Sequence, residues 1–185
     1  FVAGIADNLA ALSSNLRVTE LMYHAAPGSD YDYIEFHNMS HSFPLTLDGV
    51  TVSKGIEYTF PSGTVLGQAE YLVVAKLPGP AFDAWYGDEM MVLGPYGGNL
   101  SNSGEDLVVE APGGGAPLIT LNYSDDPGWP LEADGGGHSL IPLCLADQSN
   151  GCLDHPESWR ASTTLNGSPG MADPDPHAGI VINEF

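Results

Sequence analysis

The residues best suited to acid–base chemistry are two glutamates, Glu20 and Glu35, which lie on the first two predicted strands. A pair of carboxylates on neighbouring strands is the arrangement that glycosidases use, one residue acting as acid and the other as base or nucleophile. On an alternating strand, Glu20 shares its face with Val18 and Met22. The spacing therefore permits a carboxylate pair, although it does not require a catalytic one.

No other catalytic motif accompanies this pair. The six histidines are scattered, and the chain contains no His-Glu-x-x-His and no Gly-x-Ser-x-Gly sequence. A phosphate-binding Gly-x-x-x-x-Gly-Lys loop is also absent. These observations predict that the chain is not an enzyme.

Clustered acids in the long loop that follows residue 123 offer oxygen ligands for a cation. Ca²⁺ takes six to eight oxygens, commonly from loop carboxylates and carbonyls. The predicted calcium ligands are Asp125, Asp126 and Asp134. The alternative is that these acids form a solvated surface that binds no metal.

Aromatic residues near the same loop offer a second kind of site. Trp129 lies between two prolines, and with Tyr123 and Trp85 it would form a platform for a carbohydrate if the three rings were exposed. The more frequent use of such tryptophans is to plug the end of a β-sandwich. An exposed row of rings would favour the platform, and a buried Trp129 would remove it.

Two cysteines, Cys144 and Cys152, flank a short polar loop. A disulfide between them would stabilise the fold by roughly 2–3 kcal/mol and would indicate an oxidising compartment. A zinc site with His138 and His155 is the alternative, but the spacing differs from that of common zinc sites. We therefore predict the disulfide and a secreted or cell-surface protein.

The charge balance excludes several partners. The 185 residues include 4 basic and 24 acidic side chains, for a net charge of −20. Nucleic-acid binding needs a basic surface, and binding to anionic membranes is disfavoured for the same reason. No apolar run is long enough to span a bilayer. Divalent cations, basic proteins or solubility in salty water remain compatible with this surface.

Short alternating apolar segments separated by turns must position these residues. Close spacing with Gly, Pro, Asn and Asp between the segments is typical of a β-sandwich rather than an alternating α/β fold. We predict an all-β fold with long loops and at most one short helix, at residues 80–86. The predicted strands are 16–23, 31–38, 45–53, 56–60, 70–76, 90–93, 107–110, 118–123 and 139–143.

An ordered series of motifs resembles the lamin-tail domain family, in its bacterial and archaeal extracellular form. The resemblance implies an immunoglobulin-like β-sandwich without a shared catalytic centre. It also implies that Glu20 and Glu35 serve the fold, through hydrogen bonds or ion pairs with Arg17 or Arg160. The motifs are VTELMYHA (18–25), DYIEFHN (32–38), LDGVTVS (47–53), YTFPSGT (58–64), EYLVVA (70–75), LSNSGE (100–105), YSDDPGWP (123–130), ADGGGHSL (133–140), WRAS (159–162) and GSPG (167–170).

The two ends of the chain differ from its middle. Residues 1–15 are predicted as a linker or the end of a preceding domain, extended or strand-like in preference to a short helix. Residues 16–170 form the predicted sandwich. Residues 171–185 are predicted as a linker with either the first strand of a following repeat or a donor strand, because IVINEF at 180–185 echoes LRVTEL at 16–21.

These observations predict a non-catalytic structural or adhesive module of a secreted or cell-surface multidomain protein or filament. It would act through edge-strand and loop contacts with protein partners or neighbouring copies, with residues 1–12 and 180–185 as candidate donors. The alternative is a carbohydrate-binding accessory domain of an extracellular enzyme. No cofactor is predicted other than the possible calcium ion.

Overall fold

The computed structural model describes residues 2–176, with side chains from Asp7 onward. Within this part, two α-helices and thirteen β-strands follow one another along the chain. They are α1 (Val2–Asn15), β1 (Leu16–Met22), β2 (Tyr33–Asn38), β3 (Leu45–Thr46), β4 (Thr51–Ser53), β5 (Ile56–Thr59), β6 (Val65–Leu66), β7 (Tyr71–Ala75), α2 (Pro80–Tyr86), β8 (Val92–Leu93), β9 (Gly97–Gly98), β10 (Gly104–Glu110), β11 (Pro117–Ser124), β12 (Leu140–Pro142) and β13 (Trp159–Ala161).

The strands form two main sheets and a small ribbon. The six-stranded sheet has the order β13-β12-β1-β2-β7-β8, and the five-stranded sheet has the order β11-β10-β4-β5-β9. Strands β3 and β6 pair separately. All pairs are antiparallel except β7 with β8. The predicted immunoglobulin-like β-sandwich is confirmed.

One apolar core lies between the two sheets. Ile34 and Phe36 contribute to it from the six-stranded sheet, and Val52, Val109 and Ile119 contribute from the five-stranded sheet. All five side chains are buried, since alternate residues of each strand point inward. Fully burying a side chain of this size stabilises the fold by about 1.5–3 kcal/mol, so this core is the main source of stability.

The N-terminal segment departs from the prediction, because residues 2–15 form the helix α1 and not an extended linker. Its apolar residues recur at helical spacing, and Leu12 is fully buried in the sandwich core. Asn15 ends the helix, and its carbonyl accepts the N–H of Met39 from the end of β2. The fold thus has two α-helices within residues 2–176, where at most one short helix was predicted.

Replacing Leu12 with alanine is expected to lower the free energy of unfolding by about 2–4 kcal/mol, because it opens a cavity in the core. The matched control is Leu9→Ala in the same helix. Leu9 is 40% exposed, so this change should alter the free energy by no more than about 0.5 kcal/mol. Urea unfolding of both variants measures the difference, and equal effects would show that the burial of Leu12 does not stabilise the sandwich.

Several other elements of the structure differ in detail from the predicted ones. The predicted strand 45–53 is interrupted, because residues 47–50 form a turn in which the Val50 N–H donates to the Leu47 carbonyl. The helix at 80–86 is confirmed, and β6, β9 and β13 were not predicted. Residues 177–185, and with them the predicted donor strand 180–185, lie outside the described residues. No helix between residues 2 and 176 is long and apolar enough to cross a bilayer.

Candidate functional site

The outer face of the six-stranded sheet carries the two glutamates, and a β-bulge in β1 turns Glu20 toward this face. Val18 pairs with Phe36, but Glu20 pairs with Glu35, so β1 holds one extra residue at Thr19. A bulge of this kind reverses the alternation of side chains beyond it. Val18 therefore packs in the core while Thr19 and Glu20 both face outward. The predicted shared face of Glu20 and Val18 is wrong.

Glu20 is buried and accepts hydrogen bonds from three surrounding residues. The Tyr33 hydroxyl donates at 2.7 Å, and the Ser139 hydroxyl donates to the same carboxylate oxygen, Oε1. The backbone N–H of Ser168 donates to Oε1 at 2.9 Å, and its hydroxyl donates to Oε2 at 3.2 Å. One carboxyl group thus joins β1, β2 and the residues before β12 to a segment near the C-terminus.

Glu35 is also buried and binds the same C-terminal segment. Its Oε1 accepts the Thr19 hydroxyl at 2.6 Å, and its Oε2 accepts the backbone N–H of Gly170 at 2.6 Å. We call residues 162–173 the strap, because they cross the outer face of the sheet and are held by both carboxyl groups. The glutamate pair is therefore an anchor for the chain, as the predicted structural role required.

Glycine is required where the strap passes closest to the sheet. Gly167 has a φ of 80°, in the left-handed region, and a side chain at this position would overlap the Glu20 carboxyl and the Tyr33 hydroxyl. Only glycine meets both conditions without strain. This close approach places the neighbouring Ser168 N–H within hydrogen-bonding distance of Glu20.

Of the two predicted interactions of the glutamates, the structure shows the hydrogen bonds and not the ion pairs with arginine. Arg17 donates five hydrogen bonds to backbone carbonyls, and the carbonyls of Leu145 and Ala146 accept two of these bonds. Arg160 donates to Asp173 at 2.6 Å, which fixes the end of the strap. The pKa of Asp173 is lowered, because hydrogen bonds from Thr163 and Arg160 outweigh the effect of its burial.

Burial governs the protonation of three acids, two of them beneath the strap. Desolvation raises the pKa of Glu20, and the hydrogen bonds it accepts offset only part of this effect. Desolvation and the adjacent Glu20 charge raise the pKa of Glu35. Asp32, at the start of β2, is fully buried, and its pKa rises to about 7 for the same reason. The folded protein therefore retains protons that the unfolded chain would release.

We expect the melting temperature to fall as the pH rises from about 4 to about 7. The raised pKa values stabilise the folded state, and this stabilisation is fully present below the pKa values of the unfolded chain, about 3.9 for Asp and 4.3 for Glu. The stabilisation is lost as the pH rises through the pKa values of the folded protein, and the folded pKa of Asp32 is about 7. Thermal unfolding in about 1 M salt, which screens the general repulsion of surface acids, measures the slope.

The matched variant for this pH dependence is Asp32→Asn. An asparagine does not titrate, and its side-chain oxygen can still accept the Ala25 N–H that Asp32 accepts at 3.0 Å. The slope between pH 5 and pH 7 should therefore be shallower in the variant. A melting temperature that rises over this range, or the same slope in both proteins, would contradict the assignment.

A cavity of about 330 Å³ opens beside the strap on the same face. Thr19 and Glu35 lie at its base. His37 and Tyr71, whose rings are stacked 4.0 Å apart and almost parallel, form one side. Its rim includes Met39, Leu143 and Met171, which are 36%, 58% and 62% exposed. The cavity thus combines a buried carboxyl group with an apolar, accessible rim.

The predicted disulfide between Cys144 and Cys152 is confirmed. The loop that it closes lies across an edge of the sandwich and contacts both sheets. The Gln148 side chain bonds the N–H and the C=O of Val18 in β1, and the Gln148 carbonyl accepts the N–H of Thr120 in β11. We call residues 144–153 the clasp, since they join the two sheets and cover the middle of the β11 edge.

The predicted carbohydrate platform is not formed. Tyr123 is fully buried, and its hydroxyl donates to the Ser101 carbonyl. Trp129 is only 9% exposed and packs against Trp159, with ring centroids 6.3 Å apart. Only Trp85 remains accessible, at 44%. Core packing accounts for the first two rings, because the end of the sandwich needs large apolar side chains to exclude water.

The three predicted calcium ligands are not brought together either. Asp125 and Asp126 are exposed on the long loop, whereas the Asp134 carboxylate contacts His24 Nδ1 at 2.9 Å. Between residues 2 and 176, no group of three or more His, Cys, Asp or Glu residues is arranged to hold a metal ion.

Several residues that hold this face together were missed. Gln148 lies in a loop whose cysteines carry its only clear sequence signal, and its role depends on contact with a strand 130 residues earlier. Ser168 and Gly170 belong to the GSPG motif, which was the one signal that could have identified the strap. The sequence around Asp173 does not distinguish it from a surface acid, although its side chain is 1% exposed.

Comparison with known proteins gives one match. A family model described as Lamin Tail Domain matches residues 10–125, more than half of the chain, and this span runs from the end of α1 to the end of β11. The clasp and the strap lie beyond it. No curated protein and no solved structure matches the chain.

Proposed function

The chain belongs to the lamin tail domain family, and from this premise we propose that it is a structural module of a secreted or cell-surface multidomain protein. The family comprises immunoglobulin-like domains that are generally non-catalytic. In this proposal the module holds protein partners through its loops, its outer sheet face and the uncovered parts of its sheet edges. The polar groups that the sequence offered for catalysis are used instead to hold the chain.

The observation that carries the proposal is that both the first and the last described segments are tied to β1. Arg17 donates to the carbonyls of Ser13 and Ser14 at the end of α1. Glu20 accepts two hydrogen bonds from Ser168 in the strap. A force applied along the chain would therefore act on a central strand of a sheet, which suits a module that links other parts of a protein.

Two of the sheet edges, β11 and β13, leave limited room for strand addition. The clasp covers the middle of β11, where a bridge links Leu121 to Leu153. On β13 the Arg160 guanidinium donates to the Ala161 carbonyl, and the Trp159 N–H donates to Pro156. Native proteins protect edge strands in such ways against uncontrolled pairing. Loops and the outer face of the six-stranded sheet are therefore the stronger candidates for contacts in this proposal.

The disulfide supports the proposed location, because disulfides persist mainly in oxidising compartments. Thiol labelling and surface biotinylation of the full-length protein on intact native cells test the proposal. We expect Cys144 and Cys152 to react with maleimide only after reduction, and the protein to be biotinylated from outside. Cysteines that react before reduction, in a protein that is found only inside the cell, would refute it.

A further inference from the structure

We propose that the cavity beside the strap receives a lysine side chain of a basic partner protein, with the lysine ammonium against the Glu35 carboxyl group. This inference rests on the proposed function, because it specifies the chemistry of one of the partners that the module would hold. The cavity, the acceptor at its base, the apolar rim and the charge of the protein each contribute to the argument.

The base of the cavity holds an acceptor with unused capacity. Glu35 is 1% exposed, and each of its carboxylate oxygens accepts one hydrogen bond, from Thr19 or from Gly170. A lysine ammonium beside this carboxyl group favours its ionised form, which offers about four acceptor sites to the three donors of the ammonium. Among the described residues no basic side chain bonds Glu35, because Arg17 and Arg160 are directed to other partners. A cation from outside would therefore offset the cost of burying this group.

The upper part of the cavity suits the stem of the same side chain. Met39, Leu143 and Met171 present apolar surface at the rim, and Ile141 lines the wall below them. A lysine packs its four methylene groups on such a surface while its charged end reaches a polar partner. The flexible thioethers of the two methionines adapt readily to an inserted chain.

The charge of the whole protein specifies the partner. A net charge of −20 produces a field that attracts basic proteins and accelerates their approach. At the cavity, Arg160 pairs with Asp173, so neither arginine of the chain is available to pair with Glu35. A second copy would carry the same net charge of −20, so a basic partner is a different protein.

The test is an NMR titration of the 185-residue chain with acetyl-Gly-Lys-Gly-amide, and with the same peptide carrying norleucine in place of lysine. We expect the lysine peptide to shift the amide signals of Thr19, His37 and Leu143, while the norleucine peptide binds at least about tenfold more weakly. This factor corresponds to the loss of one charge-assisted hydrogen bond. Equal binding of the two peptides, or no shift with either, would overturn the proposal.

Substitutions test whether the Glu35 carboxyl group is the one that binds the lysine peptide. Glu35→Gln should weaken lysine-peptide binding about tenfold, whereas Glu132→Gln, which removes an exposed acid far along the chain, should bind like the parent protein. Because Glu35 also holds the strap, Leu143→Gln provides a second variant at an exposed rim position and should weaken binding severalfold. Unchanged binding in both site variants would overturn the proposal. A negative titration with a protein found on the cell surface would refute only this inference, whereas an intracellular protein would refute the proposed function.

Discussion

Replacing Glu20 with alanine is expected to lower the free energy of unfolding by about 3–5 kcal/mol. The reason is that four hydrogen bonds end on this one carboxyl group, from Tyr33, Ser139 and Ser168. Removing the acceptor leaves the Tyr33 and Ser139 hydroxyls and the Ser168 N–H buried without a partner, and each such loss costs about 1–3 kcal/mol. The Ser168 hydroxyl keeps Asp173 as an acceptor. Urea unfolding measures the change, and it should be among the largest for any single polar residue of this protein.

The same variant should also release the strap while the sandwich persists. Limited proteolysis is expected to cut residues 162–173 faster in Glu20→Ala than in the parent protein, because the Ser168 anchor is lost. The control is Glu132→Ala, an exposed acid whose removal should change stability by no more than about 0.5 kcal/mol. If the two variants had the same stability and the same cleavage pattern, Glu20 would not be an anchor.

Replacing both Cys144 and Cys152 with serine is expected to lower the free energy of unfolding by about 2–3 kcal/mol and to make the protein associate. The first effect is the loss of a cross-link that closes a short loop. The second arises because the clasp would leave the β11 edge and free the N–H of Thr120, which now donates to Gln148. An eight-residue edge strand without cover is a surface on which a second copy can pair.

Urea unfolding measures the loss of stability, and light scattering coupled to size-exclusion chromatography measures association as a function of protein concentration. The control is Ser149→Ala within the same loop, since the Ser149 hydroxyl is exposed and bonds only Asp147. That variant should remain monomeric whenever the parent does. A double serine variant that is as stable as the parent, and whose mass does not grow with concentration, would show that the disulfide does not maintain the clasp.

The strands of the sandwich were predictable because each carries its own local signal. Alternating apolar residues such as Ile34 and Phe36, bounded by turn residues, indicate a strand whatever the rest of the chain does. The helix α1 had a local signal too, in the spacing of its leucines, but Ser, Ser and Asn at its end suggested a break. Burial of Leu12 in the core decided the conformation, and that contact is tertiary.

The candidate site was less predictable, because its parts are far apart in the sequence. Glu20 and Glu35 were identified as a pair on neighbouring strands, yet the bulge at Thr19 that turns Glu20 outward has no local signature. The bond from Ser168 to Glu20 spans 148 residues. The sequence also does not determine whether the Trp129 side chain is exposed, since an aromatic ring between prolines suits a surface platform as well as a buried position at the end of the sandwich.

By itself, the sequence determined the fold class, the disulfide and the strongly acidic surface, because these follow from local periodicity, from two cysteines and from counted charges. Only the tertiary structure decided what the polar residues do. A carboxyl group is an acid, a metal ligand or an anchor according to which donors surround it and how much water reaches it. At Glu20 the surrounding groups are hydroxyls and backbone N–H groups from distant parts of the chain, and they make it the anchor of the strap.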